Sequence, residues 1–377
     1  MIYFDNAATG GFKPNAVIDT ATTVIKYLCA NPTRSAHRLS LTGAKTVNDC
    51  RQVLAELFGA SADRVIFTKN CTEALNLAIF GSLKKGGHII TTVYEHNSVL
   101  RPLFFLKEKG LIELDIVSPT LDKPFIDNIA DKIKPNTYLI ITTAASNVTG
   151  EVLPTKKISA LAKKHNILHL VDGAQGGGHI PLSIKDDGFN MIALAAHKGL
   201  YGIMGSGALI LDNSVSISPL LYGGTGTETF NTSQPDCYPE KLEAGTLNLP
   251  AIAALYEGAS YVKNNLKNFN AHLYNRTSAL ISELKNIDGV ECFSAPNSVG
   301  ICAFRLVNMP SVTVADILNN EYDIAVRSGF HCAPLMHKFL KTDDEGLVRV
   351  SLAVQNSAHE INFFLSAIEK IVKTKSF

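Results

Sequence analysis

The sequence predicts an α/β protein with a mainly parallel central sheet in a large domain and a smaller α+β domain after it. Three observations carry that expectation. Between residues 65 and 211, short apolar runs alternate with amphipathic helical stretches, the pattern of strand–helix–strand units. The runs are apolar at nearly every position, as strands covered on both faces must be. The pattern then stops at Tyr222–Pro250, a Gly-, Thr- and Pro-rich segment without periodicity.

In chain order, strands are expected at Val65–Thr68, His88–Val93, Glu113–Val117, Tyr138–Thr143, Leu168–Asp172, Met191–Ala195 and Gly207–Leu211. Helices at Thr72–Leu83, Ser98–Glu108 and Thr155–His165 fall between them. Beyond the aperiodic segment a long helix is expected through Ala251–Leu284. Strands near Gly300–Leu306, Ala325–Arg327 and Leu347–Ala353 follow, and a helix at Ala358–Lys373 closes the chain. The domain boundary is placed inside the long helix, near residue 258.

The chain has 377 residues, 46% hydrophobic and 18% charged, so it can bury a large core and is not a disordered chain. Thirty-five basic residues against 34 acidic leave a formal charge of +1. No global field draws it to nucleic acid or to a membrane surface. No apolar run nears the roughly 20 residues of a membrane span. Cysteines 29, 50, 71, 237, 292, 302 and 332 form no CxxC pair, and the start MIYFDNAATGGFKPN carries no secretion signal. Reduced thiols and a cytoplasmic location are therefore expected.

Four motifs bear chemistry. In Phe67-Thr68-Lys69-Asn70-Cys71-Thr72-Glu73 a strand runs into a helix that Thr72 can cap, and the free N–H groups there suit a phosphate. In His169-Leu170-Val171-Asp172-Gly173-Ala174-Gln175, Asp172 ends a strand, where ligands gather in open sheets; alone, it reads equally as a loop cap. Lys198, in Ala195-Ala196-His197-Lys198-Gly199, follows the next strand, and a desolvated lysine there suits Schiff-base chemistry. Together the two residues are the minimum set for pyridoxal phosphate. In Arg327-Ser328-Gly329-Phe330-His331-Cys332-Ala333-Pro334, a cysteine sits in a Gly/Pro-bounded loop beside His and near Arg, a setting that favours thiolate. A zinc site at His331 and Cys332 lacks a second ligand pair at suitable spacing, so no metal is expected.

In this order the motifs resemble the class V aminotransferase superfamily, and within it the cysteine desulfurases and selenocysteine lyases. The likeness runs from Tyr3-Phe4-Asp5-Asn6-Ala7-Ala8-Thr9 to Val348-Arg349-Val350-Ser351-Leu352. The short His331-Cys332-Ala333 loop resembles the SufS-like type II branch. The resemblance implies fold type I of pyridoxal-phosphate-dependent transferases. Residues 1–14 would pack with the small domain, 15–258 form the large domain, and 259–377 form the small domain carrying the cysteine loop.

The resemblance also implies roles. Lys198 would hold the cofactor aldehyde and move the Cα proton, Asp172 would pair with the pyridine nitrogen, and Gln175 would bond the phenolic oxygen. His96 would stack on the ring. Thr72, the backbone of Cys71 and His197 would hold the phosphate, joined by Thr246 from the partner subunit of a homodimer. Asn147 and Arg349 would position the substrate carboxylate, with Arg327 near it, and His37 matches a further active-site histidine. Cys332 would take sulfur from L-cysteine as a persulfide for an unidentified acceptor protein; the alternatives are a selenocysteine lyase acting on L-selenocysteine, an aminotransferase or epimerase on the same scaffold, and last a non-catalytic sulfur carrier. Ala195 stands where such enzymes commonly carry Ser, Phe330 where His is common, and Cys71 where Thr is common; Ala333-Pro334 lacks a spacer residue.

Overall fold

The structure, a computed structural model, describes residues 1–28, 30–32 and 35–375. Cys29, and Thr33 and Arg34 just before His37, lie outside the described residues. The chain opens with β1 (Ile2–Tyr3) and helices α1 (Asn15–Tyr27) and α2 (Arg38–Phe58). Next come β2 (Val65–Thr68), α3 (Cys71–Gly81), β3 (Gly87–Thr92), α4 (Asn97–Glu108), β4 (Ile112–Val117), α5 (Phe125–Ala130) and β5 (Thr137–Thr143). The series continues with α6 (Thr155–Lys164), β6 (Leu168–Asp172), α7 (Ile184–Asp187), β7 (Met191–Ala195) and β8 (Gly207–Leu211). Among the described residues, β2 to β8 form a seven-stranded sheet in the order β2-β8-β7-β6-β5-β3-β4. The expected parallel sheet has one exception: β8 runs antiparallel to both of its neighbours.

The unbroken apolar runs have a direct cause in the packing. Leu170, Met191 and Ala193 face a core shared with Val99 and Leu103 of α4 and with α3. Their sequence neighbours Val171, Ile192 and Leu194 face the opposite core, against α2 and the long helix α8 (Leu249–Lys285). With both faces covered, polar side chains on these strands stand at the ends or in closed hydrogen-bonded sets such as that of His169. Helix α8 also lies very close to the loop after Lys198. A Cβ built at Gly258 would stand 2.2 Å from the Leu200 carbonyl oxygen, so only glycine fits at that crossing.

The C-terminal part holds β9 (Val290–Cys292), β10 (Ile301–Leu306), α9 (Ser311–Tyr322), β11 (Ile324–Ala325), β12 (Arg327–Gly329), α10 (Pro334–Leu340), β13 (Leu347–Ser351) and α11 (Ala358–Lys375). A second sheet runs β12-β13-β10-β9. The single strand expected at Ala325–Arg327 is in fact two. Its first half, β11, pairs in parallel with β1, and its second half, β12, pairs antiparallel with β13. The division lets one short stretch capture the N-terminus and still deliver Arg327 to the second sheet. Phe4 is fully buried there, 5.8 Å edge-on from Phe364. No helix among the described residues is long and apolar enough to cross a membrane.

A buried ion pair joins α2 to the segment before α8. Arg51 Nη2 lies 2.5 Å from Glu243 Oε2, and Glu243 Oε1 also accepts from the Phe67 amide of β2. Burial pushes the Glu243 carboxyl up, and Arg51 opposes that shift. Arg51→Ala would leave Glu243 desolvated without its counter-charge. Urea unfolding should then show a loss of about 3–5 kcal/mol; a loss within the ordinary surface range would mean that water replaces the guanidinium.

Candidate active site

The carboxyl ends of β5, β6 and β7 and the N-termini of α3 and α4 enclose a cavity. Asp172 closes β6, and Lys198 stands three residues past the end of the adjacent parallel strand β7. Both line the cavity, as do Cys71, Thr72, His96, Asn147, Gln175 and His197. Cys332, Arg327, Arg349, Thr246 and His37 are not in its wall.

Electrostatics single out Lys198. Burial lowers its pKa, with nearby Arg349 and Arg327 acting in the same direction, while Cys71 and Asp172 oppose the shift. A lysine in that state keeps a neutral, nucleophilic amine nearer to neutral pH. Asp172 is 3% exposed, and its Oδ1 accepts from the Ala174 amide at 2.9 Å. The same oxygen receives the Cys71 thiol at 3.5 Å. Burial and Asp172 raise the Cys71 thiol well above its ordinary pKa, which keeps the S–H as a donor. The sequence drew attention to the Cys71 backbone; the thiol contact comes from the fold.

The phosphate-type end is built differently from the expectation. Asn70, not Thr72, caps α3: its Oδ1 accepts from the Glu73 amide at 2.9 Å, and Glu73 Oε2 accepts in return from the Lys69 amide. That reciprocal arrangement uses Asn70 because it leaves β2 in an extended conformation, whereas Thr72 is already inside the helix. Thr72 is thereby released to bond Ser98 at 2.8 Å. Ser98, which sequence reasoning missed, lines the cavity beside it. His96 caps α4, with Nδ1 accepting from the Ser98 amide at 3.0 Å. Burial, opposed by Asp172 and aided by Lys198, lowers its pKa, so the imidazole is neutral. His197 Nδ1 pairs with Thr9 Oγ1 at 3.1 Å, and burial and Lys198 bring its pKa down to about 4.

Glu95 also escaped the sequence reading. It is fully buried, its Oε1 accepts from Thr92 Oγ1 and the Thr143 amide, and burial lifts its carboxyl to about 8. It fastens the turn before His96 to the end of β5. Gln175 gives one amide N–H to the Ala7 carbonyl at 2.9 Å, so the N-terminal segment forms part of the wall. Buried Oε1 of Gln175 and Oδ1 of Asn147 have no partner.

The second sheet brings its own charges to the rim. Arg349 on β13 is 1% exposed; its Nη2 bonds Asp5 Oδ1 at 2.9 Å and its Nη1 bonds the Asn147 carbonyl at 2.8 Å, while its Nε is orphaned. Arg327 stands directly opposite it across the β12–β13 ladder. Two like charges in facing positions repel, and Asp5 is the acid that pairs with Arg349 here. The cysteine loop is bolted to the same rim: Asn147 Nδ2 donates to the His331 carbonyl at 2.7 Å, and the Asn97 amide to the Cys332 carbonyl at 2.8 Å. His331 and Cys332 both adopt left-handed backbone, φ +49° and +56°. That turn points the histidine inward, buried, and leaves Cys332 exposed.

Two expected site residues stand apart. His37 caps α2 through Ser40 and is exposed, and Thr246 is exposed in the aperiodic segment. A wider cleft lies at the opposite ends of β6 and β7, near Lys185, Asp186 and Asn190. The cavity described above is the one equipped for chemistry: an amine, a carboxylate, a helix N-terminus with hydroxyls and a neutral imidazole suit a phosphorylated heteroaromatic aldehyde.

The sequence profile of the family described as aminotransferase class-V matches residues 2–364. A probable cysteine desulfurase of Methanothermobacter thermautotrophicus is 32% identical over 98% of this chain and 94% of its own length. One from Pyrococcus abyssi is 32% identical, over 99% and 95%. The apo structure of a cysteine desulfurase from Thermococcus onnurineus superimposes with a TM-score of 0.88 at 30% identity, covering 99% of this chain and 95% of that one. With the sheet order, this likeness makes the fold type I, as the resemblance implied.

The strand that presents Asp172 also carries His169, held between Thr142 Oγ1 and Ser159 Oγ at 2.9 Å each. Burial lowers its pKa to about 3. A depressed imidazole contributes stability above its unfolded pKa, and that contribution is lost as pH falls toward the folded value. Glu95, shifted the other way, opposes this in the whole protein. The wild-type advantage over His169→Gln in urea unfolding should therefore shrink by about 2 kcal/mol from pH 8 to pH 5. A constant difference would show that His169 binds a proton in the fold as readily as it does in the unfolded chain.

Proposed function

The chain belongs to the class V aminotransferase family, and within it we propose that it is a pyridoxal-phosphate-dependent cysteine desulfurase of the SufS-like type II branch. On this reading it converts L-cysteine to L-alanine and leaves the sulfur as a persulfide on Cys332. The observation that carries it is the meeting of a desolvated Lys198, a strand-end Asp172 and an exposed Cys332 around one cavity and its rim.

The residues present fit the cofactor. Lys198 would take its aldehyde, and Asp172, held by the Ala174 amide, would hold a proton on its pyridine nitrogen. Gln175 keeps a second amide N–H for the phenolic oxygen, His96 offers a neutral ring face, and Thr72, Ser98, His197 and the first amides of α3 suit the phosphate. When bound, the cofactor supplies an electron-withdrawing ring that acidifies the substrate Cα.

The chain's own groups do the rest. The buried guanidinium of Arg349, with its orphaned Nε and with Arg327 opposite, supports reading this rim as the seat of the substrate carboxylate. The amine of Lys198, whose pKa burial lowers, takes the Cα proton and later returns it. Cys332 attacks the substrate sulfur, the C–S bond breaks toward the substrate, and the persulfide stays on the exposed turn where an acceptor protein can reach it. Asn97 and Asn147 position that turn through its carbonyls. Thr246, exposed on the aperiodic segment, would serve the phosphate of a partner subunit in a homodimer. A cytoplasmic location with reduced thiols belongs to the same reading. So does a division at residue 258 into a cofactor-binding body and a smaller unit that carries Cys332.

The test is product analysis of the reconstituted protein with L-cysteine and a reductant. Alanine and sulfide should appear in equal amounts. Cys332→Ser should lower both by more than about 100-fold while the visible absorbance of bound cofactor persists. Absence of alanine from the loaded wild-type enzyme would overturn the desulfurase reading. Alanine from L-selenocysteine that survives Cys332→Ser would favour the lyase instead.

A further inference from the structure

Away from the cavity, β9 and β10 place two cysteines side by side. Cys292 opposes Phe304 in the antiparallel ladder, so Cys302, two residues before Phe304, projects from the same face. Their sulfurs are 3.8 Å apart. Cys302 is fully buried in the core that contains Phe4, Phe304 and Phe364, whereas Cys292 is half-buried on a three-residue strand at the sheet edge. We propose that Cys292 and Cys302 form a reversible dithiol–disulfide site that is oxidised by a hydroperoxide.

Three further features give the pair its chemistry. The Cys302 thiol donates toward Cys292 and lowers the Cys292 pKa, and Lys285 at the end of α8 acts in the same direction. The buried partner is pushed up by the same contact and by burial, so it stays protonated. The accessible sulfur is thus the nucleophile and the sheltered one resolves. Diagonal partners across an antiparallel ladder have Cα atoms about 7–8 Å apart, just beyond the roughly 4.4–6.8 Å of an unstrained disulfide. Closure must draw β9 inward. An edge strand with one neighbour can yield by that much, and the remaining strain leaves the bond easy to reduce.

The step balances. The Cys292 thiolate attacks one oxygen of the peroxide, the O–O bond breaks, and the other oxygen leaves as hydroxide to become water. Cys292 is then a sulfenic acid. The Cys302 thiol attacks that sulfur, the S–O bond breaks, and the second oxygen leaves as water. Two thiols lose two electrons and two protons, and one hydroperoxide gains them. A dithiol reductant reverses the change.

The holoenzyme itself supplies the test. Lys285 and Arg305 bound one tryptic peptide, residues 286–305, that contains both cysteines. After brief hydrogen peroxide treatment and alkylation, this peptide should be lighter by two hydrogens and carry no alkyl group. Further cleavage after Phe293 should leave its two pieces linked, and dithiothreitol before alkylation should restore both thiols. Two outcomes overturn the proposal. Either both thiols remain alkylatable while Cys332 in the same sample is oxidised, or Cys292 accumulates oxygen adducts or links to another cysteine.

Discussion

A guanidinium removed from water must recover a counter-charge and hydrogen bonds, or the fold that buries it fails. Arg349 meets that condition with Asp5 and the Asn147 carbonyl, three segments that are remote in the chain. The requirement accounts for the path of the N-terminus. Phe4 anchors in the second sheet's core, β1 runs beside β11, and Asn6 and Ala7 bond Ser351 at the end of β13. From there the chain crosses to the cavity, where Ala7 meets Gln175 and the His197 carbonyl accepts from Lys13 and Gly10. One buried charge thus ties the rim that carries Cys332 to the wall that carries Lys198.

The main sheet imposes a complementary constraint. Because its strands are covered on both faces, polar groups on them survive at strand ends or in closed pairs such as His169 with Thr142 and Ser159. Asp172, Lys198, His96 and Glu95 all stand at or just past carboxyl ends, where the sheet opens between helices. Their desolvation comes from the same layers that stabilise the sheet. Core packing and the tuning of Lys198 are in this sense one property of the fold.

The small sheet shows how one strand order can serve two kinds of sulfur. At one edge, β12 leads into a turn whose left-handed residues expose Cys332. At the other, β9 holds Cys292 against Cys302 within a largely buried environment. Geometry separates a thiol open to partners from a pair whose nearest neighbour is each other.

The sequence by itself determined the alternation of strands and helices and the position of each main-sheet strand to within a residue or two, and it singled out Lys198, Asp172 and Cys332 as the residues on which the proposed reaction rests. These were legible because continuous apolar runs and strand-end motifs are local signals. Only the tertiary structure decided what depends on distant partners. The reversal of β8 and the division at Ala325–Arg327 follow from which neighbours each strand finds. Asn70 rather than Thr72 caps α3 because Asn70 is the extended residue just outside the helix, while Thr72 already lies within it. Asp5 lies 344 positions from Arg349, and the Cys71 thiol 101 from Asp172. No periodicity encodes such separations, since they arise when the N-terminal segment and two sheets pack around one cavity.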